Sequence, residues 1–196
     1  MKKIVIARDW RGPWRKPTRP RAARQAPVLV RPRPGVPHQA LVSGGGRVLL
    51  AAIGEAGIAS AKREGDRATP RLRLRPLAGL SRGRLRPGVP HRLARSDDGW
   101  CDDPRAQAYN RPVRLPFARS HEVLRRDDGL YDAVLFTDHN LRPRVLGHGS
   151  AIFIHVARPG LSGTMGCIAF PERVWRHGVV PLGDYLIGID PRPKRT

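Results

Sequence analysis

Ser150-Ala151-Ile152-Phe153-Ile154-His155-Val156 is an apolar run of strand length with one polar residue near its end. Gly147-His148-Gly149 precedes it. A short continuous apolar run bounded by glycine predicts a strand buried on both faces. Twelve residues after His155, Gly166-Cys167 opens a second apolar stretch, Ile168-Ala169-Phe170, behind a loop rich in Gly, Ser and Thr. Upstream, Leu130-Tyr131-Asp132-Ala133-Val134-Leu135-Phe136 follows Asp127-Asp128-Gly129 and reads as another buried strand. These segments are too short for core helices, and the reading is therefore mainly β.

The same pattern extends outward. Pro27-Val28-Leu29-Val30 and Arg47-Val48-Leu49-Leu50-Ala51-Ala52-Ile53, the second preceded by Ser43-Gly44-Gly45-Gly46, predict a strand, a glycine turn and a strand. Arg31-Pro32-Arg33-Pro34-Gly35-Val36-Pro37-His38 is echoed 53 residues later by Arg84 to His91, which Pro-Gly turn chemistry explains without a repeat architecture. Residues 72–135 are broken by Asp97-Asp98-Gly99, Asp102-Asp103-Pro104 and Asp127-Asp128-Gly129, all turn signals. Pro171 to His177 predicts a short helix with proline in its first turn, and Asp184 to Ile189 a closing strand.

Composition sets the outer limits. The chain has 196 residues, 20 Pro and 21 Gly, and a formal net charge of +21. Residues 1–34 hold eleven Lys or Arg against Asp9 alone. Residues 1–25 lack any hydrophobic period and read as a basic, flexible extension; 26–190 form the expected domain, and 191–196 a basic tail. The charge predicts an anionic partner, although an Arg-rich surface (32 Arg against 5 Lys) can also be generic. No helix-turn-helix, finger, RNA-recognition or OB signature accompanies it, so no specific nucleic acid is expected; a basic nucleic-acid-binding protein is the competing reading. No run approaches the roughly 18 apolar residues of a membrane span. The opening Met1-Lys2-Lys3-Ile4-Val5-Ile6-Ala7 has too short an apolar run for an export signal.

Cys167 and His155 carry the chemistry. A histidine on a rigid strand can take a proton, and a cysteine after glycine can bring its sulfur and the neighbouring N–H groups close to a carbonyl substrate. Each alone reads as a core residue, since buried cysteine behaves as a small hydrophobe. Cys101 sits among aspartates, which disfavour a thiolate, and reads as structural. No spacing of His139, His148 and His155 demands a metal.

The order of motifs resembles the L,D-transpeptidase (YkuD) family, and within it a compact bacterial subgroup. His155 matches the strand-end histidine, and Thr164-Met165-Gly166-Cys167 matches the Ser/Thr-His-Gly-Cys motif. Further shared blocks are Lys62 to Asp66 with Ala68-Thr69-Pro70, Asp98 to Pro104, Tyr109 to Pro116, Asp128 to Asp132, His139-Asn140 and Gly149 to Phe153. The likeness spans residues 41–190. Met165 replaces the second histidine, and Ala169 stands where Asn or Arg is usual.

The resemblance implies a β-sandwich or flattened barrel with one or two short helices. It implies Cys167, His155 and Gly166 as the catalytic set, with Thr164, His139 and Asn140 contacting substrate; Arg158, three residues after His155, is the candidate to recognise a stem-peptide carboxylate in place of the contact that Ala169 removes. The implied substrates are peptidoglycan stem peptides, with carbapenem-type compounds as acylating inhibitors, no cofactor, and work in the cell envelope or periplasm. The departures at Met165 and Ala169 leave a catalytically weak, peptidoglycan-binding relic as an alternative.

Overall fold

The computed structural model describes residues 26–85 and 87–189. The basic extension at 1–25 and the tail at 191–196 lie outside the described residues. Fifteen strands account for nearly all the regular structure. In chain order the first seven are β1 Val28–Arg33, β2 Val36–Gly44, β3 Arg47–Ala52, β4 Ile58–Ala59, β5 Thr69–Pro70, β6 Arg73–Leu74 and β7 Pro76–Ser81. Then come β8 His91–Leu93, β9 Asp98–Cys101, β10 Arg111–Arg114, β11 His121–Val123 and β12 Ala133–Thr137. Last are β13 Phe153–Val156, β14 Ile168–Phe170 and β15 Tyr185–Ile187. A single α-helix, α1 Glu172–Arg176, and one 3-10 turn at Pro159–Leu161 complete the set among the described residues.

Ten strands form one mixed sheet in the order β6-β15-β1-β2-β3-β14-β13-β12-β7-β8. β6 lies at one edge and β7 is next to the other, yet only Arg75 separates them in the chain. One residue reaches about 3.5 Å, so the sheet must roll until its two ends meet. Asp138 seals the seam on the β12 side: its carboxylate accepts the Arg75 N–H at 2.8 Å and its own N–H donates to the Arg75 carbonyl at 3.0 Å. On the β15 side Asp184 pairs with Arg73 and Arg75. A mainly β fold is thus observed, with its sheet rolled round an interior.

The alternation along the strands divides two cores. Val28 and Val30, Ala40 and Val42, Ala51 and Ile53, Ile154, Ile168 and Phe170 point into the roll, where Trp175 of α1 joins them. The opposite faces of β7, β12 and β13 carry Leu80, Val134, Phe136 and Phe153. Those residues are covered by a small sheet in the order β10-β9-β11. Trp100 of β9 stacks on Phe136 and meets Phe153 edge-on, both at 5.1 Å between ring centroids. Such pairs add about 1 kcal/mol each beyond the buried area. The outer core is where the site lies.

Several local expectations need adjusting. β2 went unread: its entry, Val36-Pro37-His38-Gln39, shows no apolar alternation, and its start is set by the Pro34-Gly35 turn with Gly35 at φ 75°. In the second copy of that echo the final His91 begins β8. The strands around 130–136 and 150–156 are trimmed to Ala133–Thr137 and Phe153–Val156. Pro171 is the residue before the helix rather than in its first turn.

Candidate active site

β13 and β14 run parallel, with Ile154 opposite Ile168 and His155 opposite Ala169. Paired residues in adjacent strands share a face, and successive residues alternate. His155 and Ala169 therefore project toward the outer core, and Cys167, two residues before Ala169, projects with them. The sequence-predicted pair is brought to one face of two neighbouring strands. Only 7% of Cys167 and 6% of His155 is exposed, so the pair is nearly sealed.

The turn before Cys167 is fixed from three sides. The Thr164 hydroxyl donates to the Cys167 carbonyl at 2.7 Å and accepts the Gly166 N–H at 3.1 Å. The Thr69 hydroxyl donates to the Gly166 carbonyl at 2.9 Å and accepts the Gly54 N–H at 2.8 Å. Gly166 has φ 131°, and a β-carbon there would lie 2.8 Å from the Ala68 carbonyl oxygen. Only glycine fits both demands. Thr164, expected to touch substrate, spends its hydroxyl inside this turn, and in this state the Gly166 N–H is held by Thr164 rather than free for an oxyanion.

The thiol itself lies between two backbone groups. Its S–H donates to the Ala151 carbonyl at 3.1 Å, and the Phe153 N–H donates to the sulfur at 3.3 Å. Burial pushes the thiol up to about 12; the Phe153 N–H and the Lys62 charge work against this, while the Glu122 charge adds to it. The imidazole of His155 donates from Nδ1 to its neighbour's carbonyl, Val156 O, at 2.8 Å. A carbonyl only accepts, so the proton is on Nδ1 and Nε2 keeps its lone pair. Burial lowers the His155 pKa to about 4, assisted by the charges of Arg126 and Arg158 and opposed by that carbonyl bond. At rest the thiol and the imidazole on this face are therefore both neutral, with no hydrogen bond between them.

Around this pair stand residues that the sequence reading passed over. Asn110, 1% exposed, receives Trp100 Nε1–H at 3.0 Å and Ala151 N–H at 3.1 Å on its side-chain oxygen. Its amide donates to the carbonyls of His139 and Asn140 at 3.0 and 2.9 Å. It thereby fixes the residue whose carbonyl holds the thiol. Tyr131 lies edge-on to the His155 ring at 5.3 Å, and its hydroxyl donates to Glu122 at 3.2 Å. Asn110, Thr69 and Tyr131 fall inside the sequence blocks on which the expected resemblance rests, which is the signal that could have found them; nothing comparable marked Glu122.

The remaining expected contacts divide. Arg158 follows β13, is exposed, and forms no side-chain hydrogen bond or ion pair among the described residues. Its charge is nonetheless felt at His155. Asn140 spends its side chain on Val145 and Gly149, closing the loop between them. His139 donates from Nε2 to the His148 carbonyl at 3.1 Å, leaving Nδ1 buried and unpartnered; burial lowers its pKa to about 4. Both cysteines are free, and Cys101 is fully buried in the small sheet. Among the described residues no group of three His, Cys, Asp or Glu could hold a metal ion, and no helix is long and apolar enough to cross a membrane.

Fold and site together define a mainly β protein with a buried cysteine–histidine pair at a parallel strand junction. No protein-family model matches the chain, and neither does any curated protein or solved structure.

Proposed function

We propose that the protein is a cysteine-dependent acyltransferase of the L,D-transpeptidase type, with a YkuD-like fold, acting on peptidoglycan stem peptides in the cell envelope. The observation that carries the reading is the placement of Cys167 and His155 on one face of adjacent strands, with the His155 proton anchored on Nδ1. In the reaction the thiol leaves the Ala151 carbonyl and gives its proton to His155 Nε2. The sulfur attacks the carbonyl of an L-to-D peptide bond, and the imidazolium returns the proton to the leaving amine. A thioester on Cys167 remains, to be resolved by an amine or by water. The bond from Phe153 N–H to the sulfur favours the thiolate as it forms. The free guanidinium of Arg158 suits a stem-peptide carboxylate, which it can take in a two-pronged bond. No cofactor takes part.

Intact-mass spectrometry after incubation with a carbapenem or a stem tetrapeptide tests the reading. Wild type gains one acyl adduct, and Cys167→Ala gains none. A wild-type protein that stays unmodified, with its thiol shown to be reduced, removes the enzyme claim and leaves the binding-only relic.

A further inference from the structure

Resolution of a thioester by an amine poses a problem that the cysteine–histidine pair does not solve alone. At neutral pH a primary amine arrives as an ammonium, and it must lose two protons to become an amide. The site therefore needs an anion that holds the incoming cation and accepts its first proton.

Glu122, in the middle of β11, meets the requirement. Its two partners share one oxygen: Tyr131 O–H donates to Oε2 at 3.2 Å, and Arg126 lies 3.6 Å from the same atom. Oε1 has no hydrogen-bond partner among the described residues and is not among the sealed polar atoms. The side chain is 29% exposed, in contact with both solvent and the outer core. Two other acids send their charge to Glu122: Asp128 is occupied by a two-pronged pair with Arg126, at 3.0 and 3.1 Å from Nε, and Asp102 keeps Oδ1 sealed from solvent. Glu122 is also the acid whose charge reaches the Cys167 sulfur, and burial raises its own pKa, which suits it to hold a proton for part of the cycle. Tyr131 lies between Glu122 and His155, touching the first through its hydroxyl and the second through its ring.

We propose that Glu122 is the anchor of the acceptor subsite, its Oε1 receiving a primary ammonium that will resolve the Cys167 thioester; this rests on the acyl-transfer reading above. The ammonium gives one proton to Glu122, and the freed nitrogen lone pair attacks the thioester carbonyl carbon. The C–N bond forms, His155 Nε2 takes the second nitrogen proton, and the C–S bond breaks with its electron pair returning to sulfur. The sulfur recovers a proton from His155, and Glu122 releases its proton to water. All protons and electrons are then accounted for, and the enzyme is back at rest.

The test separates the two half-reactions. Acyl-enzyme is formed with a stem tetrapeptide, then partitioned among water, a diaminopimelate-bearing tetrapeptide as ammonium acceptor, and hydroxylamine, which is uncharged at neutral pH. Glu122→Gln loses roughly tenfold to a hundredfold in transfer to the ammonium acceptor, the value of a hydrogen bond to a charged group. It loses far less in acylation and in transfer to hydroxylamine. Tyr131→Phe, which keeps the ring on His155 and the Glu122 charge, retains most of the ammonium transfer. Equal losses in Glu122→Gln and Tyr131→Phe, or equal losses with both acceptors, would mean that Glu122 only holds Tyr131, and would overturn the proposal. Normal transfer in Glu122→Gln overturns it too, while leaving the acyltransferase reading intact. A wild type that forms no acyl-enzyme overturns both.

Discussion

Ala151 holds its backbone at φ 50°, a left-handed conformation that costs a residue with a β-carbon about 1 kcal/mol. The strain is maintained because Asn110 grips the Ala151 N–H on one side and the Cys167 thiol binds its carbonyl on the other. A thiol so held is protected, and its reactivity depends on the base. Burial keeps His155 neutral down to about pH 4, well below the ordinary histidine value. On the proposed mechanism the neutral form accepts the thiol proton, and activity should be lost only as pH falls through the folded-state value. The rate of acylation, followed by mass against pH, should therefore hold through pH 6 and fall near 4. An acid limb at the ordinary value near 6.5 would show that His155 is not the base, or not buried when it acts. At this scale the strand that carries His155 and the turn before Cys167 were legible, because one polar residue interrupts an apolar run and one cysteine follows a glycine. Ala151 was not, since it contributes only a carbonyl and its side chain carries no signal. Glu122 was not either, because its meaning comes from Tyr131, nine residues away.

The small sheet is held by an acid with almost nothing around it but donors. Asp98, with no exposed surface, accepts two bonds from Arg92 at 2.7 Å each, one from Arg114 at 2.7 Å and one from the Arg95 N–H at 2.8 Å. Burial alone would raise its pKa, but Arg92, the Arg95 N–H and Arg114 outweigh it and hold the carboxyl below the usual range. A depressed folded-state pKa gives stability that is complete above the unfolded value and lost as pH falls through the folded one. Asp98→Asn should cost about 2–4 kcal/mol at pH 7 and much less at pH 2–3, measured by urea unfolding at both values. A pH-independent difference would mean that shape rather than charge is what Asp98 supplies. The element boundaries show the limits of sequence patterns in the same way. Segments with continuous apolar runs were found, whereas β2 starts among Pro37, His38 and Gln39 and is recognisable only from its partner β3, with which six residues pair.

For the whole molecule, the net charge of +21 has two readings that salt can separate. Attraction to a polyanion through many arginines weakens steeply with ionic strength, roughly a thousandfold or more between 50 and 200 mM salt if six or more phosphates are contacted. Acylation of a nearly sealed thiol by a small neutral electrophile should change less than about twofold over the same range, since exposed charges are screened and buried ones much less so. Parallel measurements of DNA retention and adduct formation against salt decide which property belongs to the site. Sharp salt dependence in both would tie the chemistry to the basic surface. The rolled architecture was legible only as mainly β: nothing in Arg73-Leu74-Arg75-Pro76 announces that one residue joins opposite ends of a ten-stranded sheet. The roll also has a temporal consequence. β15 pairs in parallel with β1 and lies between it and β6, with Tyr185 and Ile187 in the core. During synthesis the ribosome delivers β1 more than 150 residues before the strand that must sit beside it. Until β15 emerges, β1 and β6 are open edges, and a nascent chain of this kind depends on chaperones or on speed to escape pairing with its neighbours.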